Sequence, residues 1–456
     1  MSKGDLDGMK RMTYTKFFLM GAFLINVLGC SQEQPAVAEA TQGKLKVAYY
    51  DKQAFDLQYG DYYAVMFPNL EIEVIETKPA SSAGGDRLRE LERLLDREQP
   101  DLLLLDKNSY GRLAGLGKLI SLDPMIQKDR FDIESMLPAS VQLLRSKGKG
   151  QLYGLAPQFS NSVLYYNKEL FDRYGIPYPN EKTTWEDFYR VAARFGGKQE
   201  EPKVYGYHFP FMSSVYNMVF QAGRMQGLSF WTEDGSRATV NTPSWRRVVQ
   251  SVKEAVRSGS TPAPADAMKQ RWEKEDLDKT DLFGQGRAAM TINTTWQIDQ
   301  LKRSGSKVSW DIAPLPAAEG GKRYSPDFSL SPIYSIYAGA GNVEAAWQVI
   351  RYFHSTEAAK VERKTSQALL TRQGFVGQEE GRSLRIFYDV AYDEAADQAL
   401  HAPLPFSFYE GFDRLAEEEL DAIMQGHATV EQGLQRLEQR VQRLLEESKA
   451  APQSNE

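Results

Sequence analysis

Apolar and polar residues alternate through Leu45, Val47 and Tyr49, which predicts a first strand that breaks at Tyr49-Tyr50-Asp51. Residues 61–67 predict a short helix stopped by Pro68, and Leu70, Ile72 and Val74 alternate as a second strand. Over 86–97, Leu88, Leu91, Leu94 and Leu95 recur at helical spacing, as on an amphipathic helix. The run Asp101-Leu-Leu-Leu-Leu-Asp106 is apolar throughout between two carboxylates, as expected of a strand buried on both faces. Strand, helix, strand, helix, strand predicts an α/β layer with a largely parallel sheet. Ligands of open α/β sheets gather beyond the carboxyl ends of the strands, and here those ends supply Asp51 and Asp106.

The pattern changes at 153–188, YGLAPQFSNSVLYYNKELFDRYGIPYPNEKTTWEDF. Gly154 makes a turn, Pro157 stiffens an extended segment, and Val163 to Tyr166 forms an apolar and aromatic run. Asn167 is placed to cap a short helix that Gly175 closes, and Pro177 and Pro179 prevent its continuation. Thr183, with Glu186 three residues on, predicts a capping box for the next helix. Further on, Tyr205-Gly-Tyr-His-Phe-Pro-Phe211 clusters aromatics, and a helix is expected from near Pro243. DLFGQGRAAM at 281–290 leads into TINTTW at 291–296, and WDIAPLP at 310–316 predicts a strand ending in prolines. A final helix follows the Gly426 stop, with Thr429 and Gln432 as its capping box and Val430, Leu434, Leu437, Val441 and Leu444 as its stripe. A helix docked on a domain and a coiled coil are the two readings of that stripe.

These landmarks, in this order, resemble the family 1 extracellular solute-binding proteins of bacterial ABC transporters, the group that includes the maltose-type receptors. The resemblance covers nearly the whole chain after the N-terminal region. It implies a two-lobed α/β fold of the type II periplasmic-binding-protein kind, with a ligand cleft between the lobes. The first lobe is expected to hold 44–156 and 329–372, and the second 157–328 and 373–456. The 153–188 stretch would leave one lobe, cross a hinge and enter the other. Residues 327–337 would carry the return, followed by the family helix at 341–355, GNVEAAWQVIRYFHS.

The single cysteine excludes an internal disulfide or a cysteine metal cage, and its position is informative. Lys10, Arg11 and Lys16 precede a mostly apolar run at 17–28, and Cys30 follows Val27-Leu28-Gly29. A basic region followed by so short an apolar one is a secretion signal, not a spanning helix. The motif resembles a bacterial lipobox, although Leu28 is larger than the residue usual there; an ordinary signal peptide with an incidental cysteine is the alternative. The lipobox reading makes 1–29 a lipoprotein signal peptide, starting at Met1 or Met9, and Cys30 the palmitate-bearing first residue of the mature chain. The polar stretch at 30–43 would be a tether, holding the protein extracytoplasmically at the outer face of the cell membrane. Net charge is −6 with basic and acidic residues mixed, which gives no reason to expect nucleic-acid binding.

None of the four histidines is paired at helical spacing, so a zinc site is not expected, and no dinucleotide, Walker or G-x-S-x-G fingerprint occurs. No cofactor and no enzymatic activity are expected, although abundant carboxylates keep a surface glycosidase open as the enzyme alternative. A sugar presents C–H faces to aromatic plates and a rim of hydroxyls to carboxylates and amides. Asp51, Asp106, Asn108, Gln158, Asn161 and Asn293 stand at predicted strand ends or crossings and suit the rim. Tyr207, Tyr216 and Trp296 suit the plates, Trp296 because the resemblance places its segment at the cleft; for each, a place in the core is the alternative. Asp106 is placed equally well to cap a helix. The expected function is therefore a lipid-anchored monomeric receptor that delivers a carbohydrate, an oligosaccharide in size, to ABC permease subunits. A non-sugar solute on the same scaffold, or a sensor subunit for a membrane kinase, are the alternatives.

Overall fold

Strand β1 (Gly43–Tyr49) pairs in parallel with β2 (Leu70–Glu76) and with β3 (Leu102–Leu105), placing Val47 opposite both Val74 and Leu102. The computed structural model describes residues 42–78, 87–195, 201–209, 214–262, 280–389, 392, 397, 404 and 406–450. The expected signal peptide, Cys30, the tether up to residue 41 and Asp86 lie outside the described residues.

The first sheet has the order β2-β1-β3-β11-β4. Its last two strands are β4 (Gly154–Leu155) and β11 (Ile333–Ile336), and β11 runs antiparallel to both neighbours. The parallel sheet expected from the N-terminal pattern thus gains an antiparallel strand, β11, from far along the chain, inserted between β3 and β4. Gly154 is required there, because a Cβ would collide with Ser335 and the Tyr334 carbonyl. Leu102 and Leu103 are fully buried between helices, each contributing roughly 1.5–3 kcal/mol. Helix Arg87–Glu98 covers one face with Leu91, Leu94 and Leu95. Helix Val343–Phe353 packs on β11 and buries Trp347, whose indole donates to Asp129 at 2.7 Å.

The second sheet has the order β7-β8-β6-β9, built from β6 (Val163–Asn167), β7 (Tyr205–Tyr207), β8 (Ala288–Asn293) and β9 (Trp310–Ala313). Strand β6 is buried at all of its positions, because it is central and covered on both faces. Asn167 caps helix Lys168–Tyr174, accepting from the Leu170 amide at 3.2 Å, and Gly175 ends it at φ +59°. The next capping box is made by Thr184 with Asp187, one residue later than the sequence pattern predicted. Thr183 is diverted: its carbonyl accepts from Ala317 and its hydroxyl from Asn180.

Beside this sheet lies a helical layer of Val215–Arg224, Pro243–Ser258, Phe406–Met424 and Val430–Ala450. Trp245 stacks on Phe230 at 4.3 Å, with Gly223 leaving the space its ring needs. Leu434, Leu437 and Val441 are buried against that layer, so the C-terminal stripe is a docked helix, and Thr429 and Gln432 form its capping box.

Between the two sheets, three segments meet in a small antiparallel sheet of order β10-β5-β12. These are β5 (Gln158–Ser160), β10 (Ser329–Leu330) and β12 (Leu369–Leu370). Phe159 packs there against Phe328 and Tyr388, and the Leu370 amide donates to the Tyr388 hydroxyl at 3.1 Å. After Arg372, whose guanidinium is bound by the His354 carbonyl and by Asp132, the chain reaches the second sheet, where Glu379 pairs with Lys302.

Candidate functional site

The carboxyl ends of β1 and β3 form one edge of the first sheet, and each is followed by an aspartate that caps a helix. Asp51 accepts from the Ala54 amide at 2.7 Å, and Lys78 stands 3.9 Å from its other oxygen. Asp106 accepts from the Asn108 and Ser109 amides at 2.9 and 3.0 Å, which anchors helix Lys107–Gly115. Its second oxygen takes the Ser109 hydroxyl at 2.8 Å and the Arg87 guanidinium at 3.3 Å. The Asp106 side chain remains 43% exposed, so capping and solute contact are compatible. Asn108 is exposed on the first turn of the same helix.

A cavity of about 360 Å³ opens along this edge, with Tyr49, Tyr50, Arg87, Asp106, Ser331 and Pro332 among its walls. It offers what a hydroxylated solute needs: a carboxylate acceptor, a guanidinium donor and aromatic surface. Partial burial pushes the Tyr49 phenol above its ordinary value, so it stays a neutral donor, here to Gln58 at 2.7 Å. Tyr49, Tyr50 and Arg87 were not singled out from the sequence. The adjacent Tyr49-Tyr50 at a strand end was the available signal for two of them.

The second sheet turns a matching end toward the hinge. Val163, just past β5, pairs with Asn293, and Leu164 with Ala313, so the carboxyl ends of β8 and β9 lie on the hinge side. Asn293 donates to Gln297 at 3.0 Å and accepts from the Thr294 amide at 2.9 Å. Trp296 opens helix Trp296–Ser304 half-buried, with the Arg303 guanidinium 5.9 Å from its ring centre.

The remaining predicted residues are placed elsewhere. Tyr207 is 1% exposed and packed among Phe188, Tyr189 and Phe209, which leaves no ring face for a ligand. Tyr216 is buried in the helical layer and donates to Asp413 at 2.7 Å. Both rings are core residues here because distant helices cover them. Asn161 is 2% exposed and spends both amide ends internally, donating to the Phe387 carbonyl at 2.8 Å and accepting from Ser162 at 3.0 Å. It fastens the crossing to the short helix Leu384–Tyr388 rather than facing solvent. Gln158 faces a different cavity, where it donates to Glu362 at 3.1 Å. Asp397, late in the chain, is held between Lys107 and Lys147. Burial alone would raise its carboxyl, but hydrogen bonds from the two ammonium groups outweigh that and hold it below the ordinary range. Among the described residues no cluster of metal ligands occurs.

Two α/β lobes joined by a strand hinge, with a polar strand-end edge facing the hinge, define the class of two-lobed solute receptors. Residues 53–360 match the bacterial extracellular solute-binding protein family, and the chain belongs to it. The chain is 24% identical to the maltotriose-binding protein of Pyrococcus abyssi, over 69% of this chain and 63% of that one. It is 23% identical to the arabinooligosaccharide-binding protein of Bacillus subtilis, over 69% and 70%. It spans about half the length of the Brucella abortus binding protein that it matches at 26% identity. In fold it is similar to the sugar-binding protein MalE of Xanthomonas citri, with a TM-score of 0.62 at 17% identity over 89% of this chain and 98% of that one.

Proposed function

We propose that this protein is a receptor that captures a carbohydrate of oligosaccharide size in the cleft between its lobes and presents it to an ABC importer. The observation that carries this reading is the cavity at the carboxyl edge of the first sheet, which joins Asp106 and Arg87 to tyrosine surface beside the hinge. The relatives named for maltotriose and arabinooligosaccharides support the same solute class. The first lobe comprises 44–156 and 329–372, and the second 157–328 and 373–456. Asp51, Asp106 and Asn108 supply the rim from the first lobe. Asn293 and Trp296 meet the solute from the second when the hinge closes. Contacts to both lobes favour the closed state, and only that difference in affinity shifts the equilibrium. No covalent step is involved. Cys30, lipid-modified, holds the receptor at the outer face of the membrane.

Titration calorimetry against a panel of malto- and arabino-oligosaccharides tests the assignment. Saturable binding that weakens on Asp106→Asn or Trp296→Ala is expected. Silence across the whole panel would remove carbohydrate as the solute. Radiolabelled palmitate incorporation, abolished by Cys30→Ser, is the corresponding test of the anchor.

A further inference from the structure

The strand-end cavity has a neighbour. A cavity of about 210 Å³ is walled by Gln158 of β5, Leu370 of β12, and Ala358, Ala359 and Glu362 of helix Thr356–Thr365. Gln58, Tyr59 and Pro332 line both cavities, so the two compartments meet at these residues. Gln58 owes its place there to the backbone. Helices Lys52–Phe55 and Asp61–Met66 are joined by a π-helical turn, Asp56–Gly60. Phe55, Tyr59 and Tyr63 recur at every fourth position, and all three are buried. A turn of about 3.6 residues would carry that stripe off line, and the wider turn takes up the difference. Tyr59 is thereby held inward, with Gln58 exposed beside it. The Tyr49 hydroxyl donates to Gln58 Oε1 at 2.7 Å, and the N–H groups of the same amide make no hydrogen bond to the described residues.

The second compartment repeats the chemistry of the first. The Glu362 oxygens each accept one hydrogen bond, from the Gln158 amide at 3.1 Å and from the Tyr62 hydroxyl at 3.0 Å. Each has a further lone pair for a solute hydroxyl. Tyr62 and Phe353 add ring surface for a C–H face. Arg372 also borders the compartment, but its guanidinium is already bound by the His354 carbonyl and by Asp132. Where one water needs about 10–15 Å³, this compartment has room for about a dozen heavy atoms, and the strand-end cavity for about two dozen. Those are the sizes of one sugar unit and of two. We propose that the two cavities are compartments of one solute groove for a chain of at least three sugar units. The third unit lies in the Glu362 compartment, and the Gln58 amide donates to the solute where the compartments meet. This rests on the carbohydrate reading above and adds to it the solute's length and the two residues that read it.

The test is titration calorimetry on the full chain, comparing maltose with maltotriose and arabinobiose with arabinotriose. In the series that binds, the trisaccharide should be about tenfold or more tighter than the disaccharide. Glu362→Gln keeps the shape and removes the charge, and should lower that ratio by about threefold or more. Ala359→Leu fills the compartment and should bring the ratio to about one; Glu362→Gln decides the matter if that variant does not fold. Gln58→Ala, at an exposed side chain, should weaken the trisaccharide by about threefold or more. Equal affinity for the two lengths, or a ratio unchanged in Glu362→Gln, overturns the groove and leaves carbohydrate as the solute. Unchanged trisaccharide binding in Gln58→Ala overturns the contact at the junction. Silence toward all four sugars removes the inference together with the reading it rests on.

Discussion

The two walls that face the hinge are built differently. On the first lobe, the polar groups at that wall are the residues that follow parallel strands. Asp51 and Asp106 leave the sheet at Tyr49 and Leu105, cap the helices that follow, and keep part of each carboxylate exposed. On the second lobe, two of the three aromatics expected at the cleft, Tyr207 and Tyr216, are enclosed by helices, and Trp296 stands half-buried at a strand-end turn. The lesson is that a strand end is an address the chain carries locally. Whether an aromatic ring is a plate or a core residue depends on what packs over it.

The strongest way to break this contrast is Tyr207→Ala. Loss of a ring so enclosed should cost about 3–5 kcal/mol, whereas Tyr50→Ala, at a ring 49% exposed, should change stability by less than about 0.5 kcal/mol. Equal melting temperatures for the two variants would place Tyr207 outside the core.

Acid should weaken both lobes, and more gently. His208 in the second lobe and His354 in the first are both depressed by burial to about 4. Each is neutral when folded and gains a proton more easily when unfolded. Stability is therefore fully present above the unfolded value near 6.5 and falls as pH drops toward 4, by on the order of 3 kcal/mol per histidine. Melts from pH 7.5 to 4.5 should show this slope, reduced by about half in His354→Gln; a slope unchanged by the substitution would mean the ring is solvated.

Asn161→Ala tests whether the crossing is fastened to the second lobe. It leaves the Phe387 carbonyl and the Ser162 amide without their partners, and should cost about 1–3 kcal/mol as read by urea denaturation. An Asn161 engaged mainly with solute would instead change affinity and leave the denaturation midpoint in place.

Only a small stability effect is expected at Asp106→Asn, since asparagine caps helices about as well as aspartate. The Arg87 pair is exposed and worth about 1 kcal/mol at most. Calorimetry should nonetheless show weaker sugar binding by about tenfold. Unchanged affinity would reduce Asp106 to a cap.

Much of the architecture was legible because its determinants are local. The alternation at Leu45, Val47 and Tyr49, the leucine run before Asp106, the Asn167 cap and the Thr429–Gln432 box each appear where their few neighbouring residues dictate. The capping box near 184 was misplaced by one residue because two adjacent threonines compete, and a contact with Ala317, far along the chain, decides between them.

By itself, then, the sequence determined the strand ends, the caps and the order of elements, because these rest on interactions spanning a few residues. Tertiary structure decided the rest. It inserted β11 between β3 and β4 of the first sheet, drew β5, β10 and β12 into one small sheet, and bound Gln158 to Glu362 across 204 positions. It also turned Asn161 and two tyrosines inward. Burial is set by what arrives from elsewhere in the chain, and no local pattern carries that information.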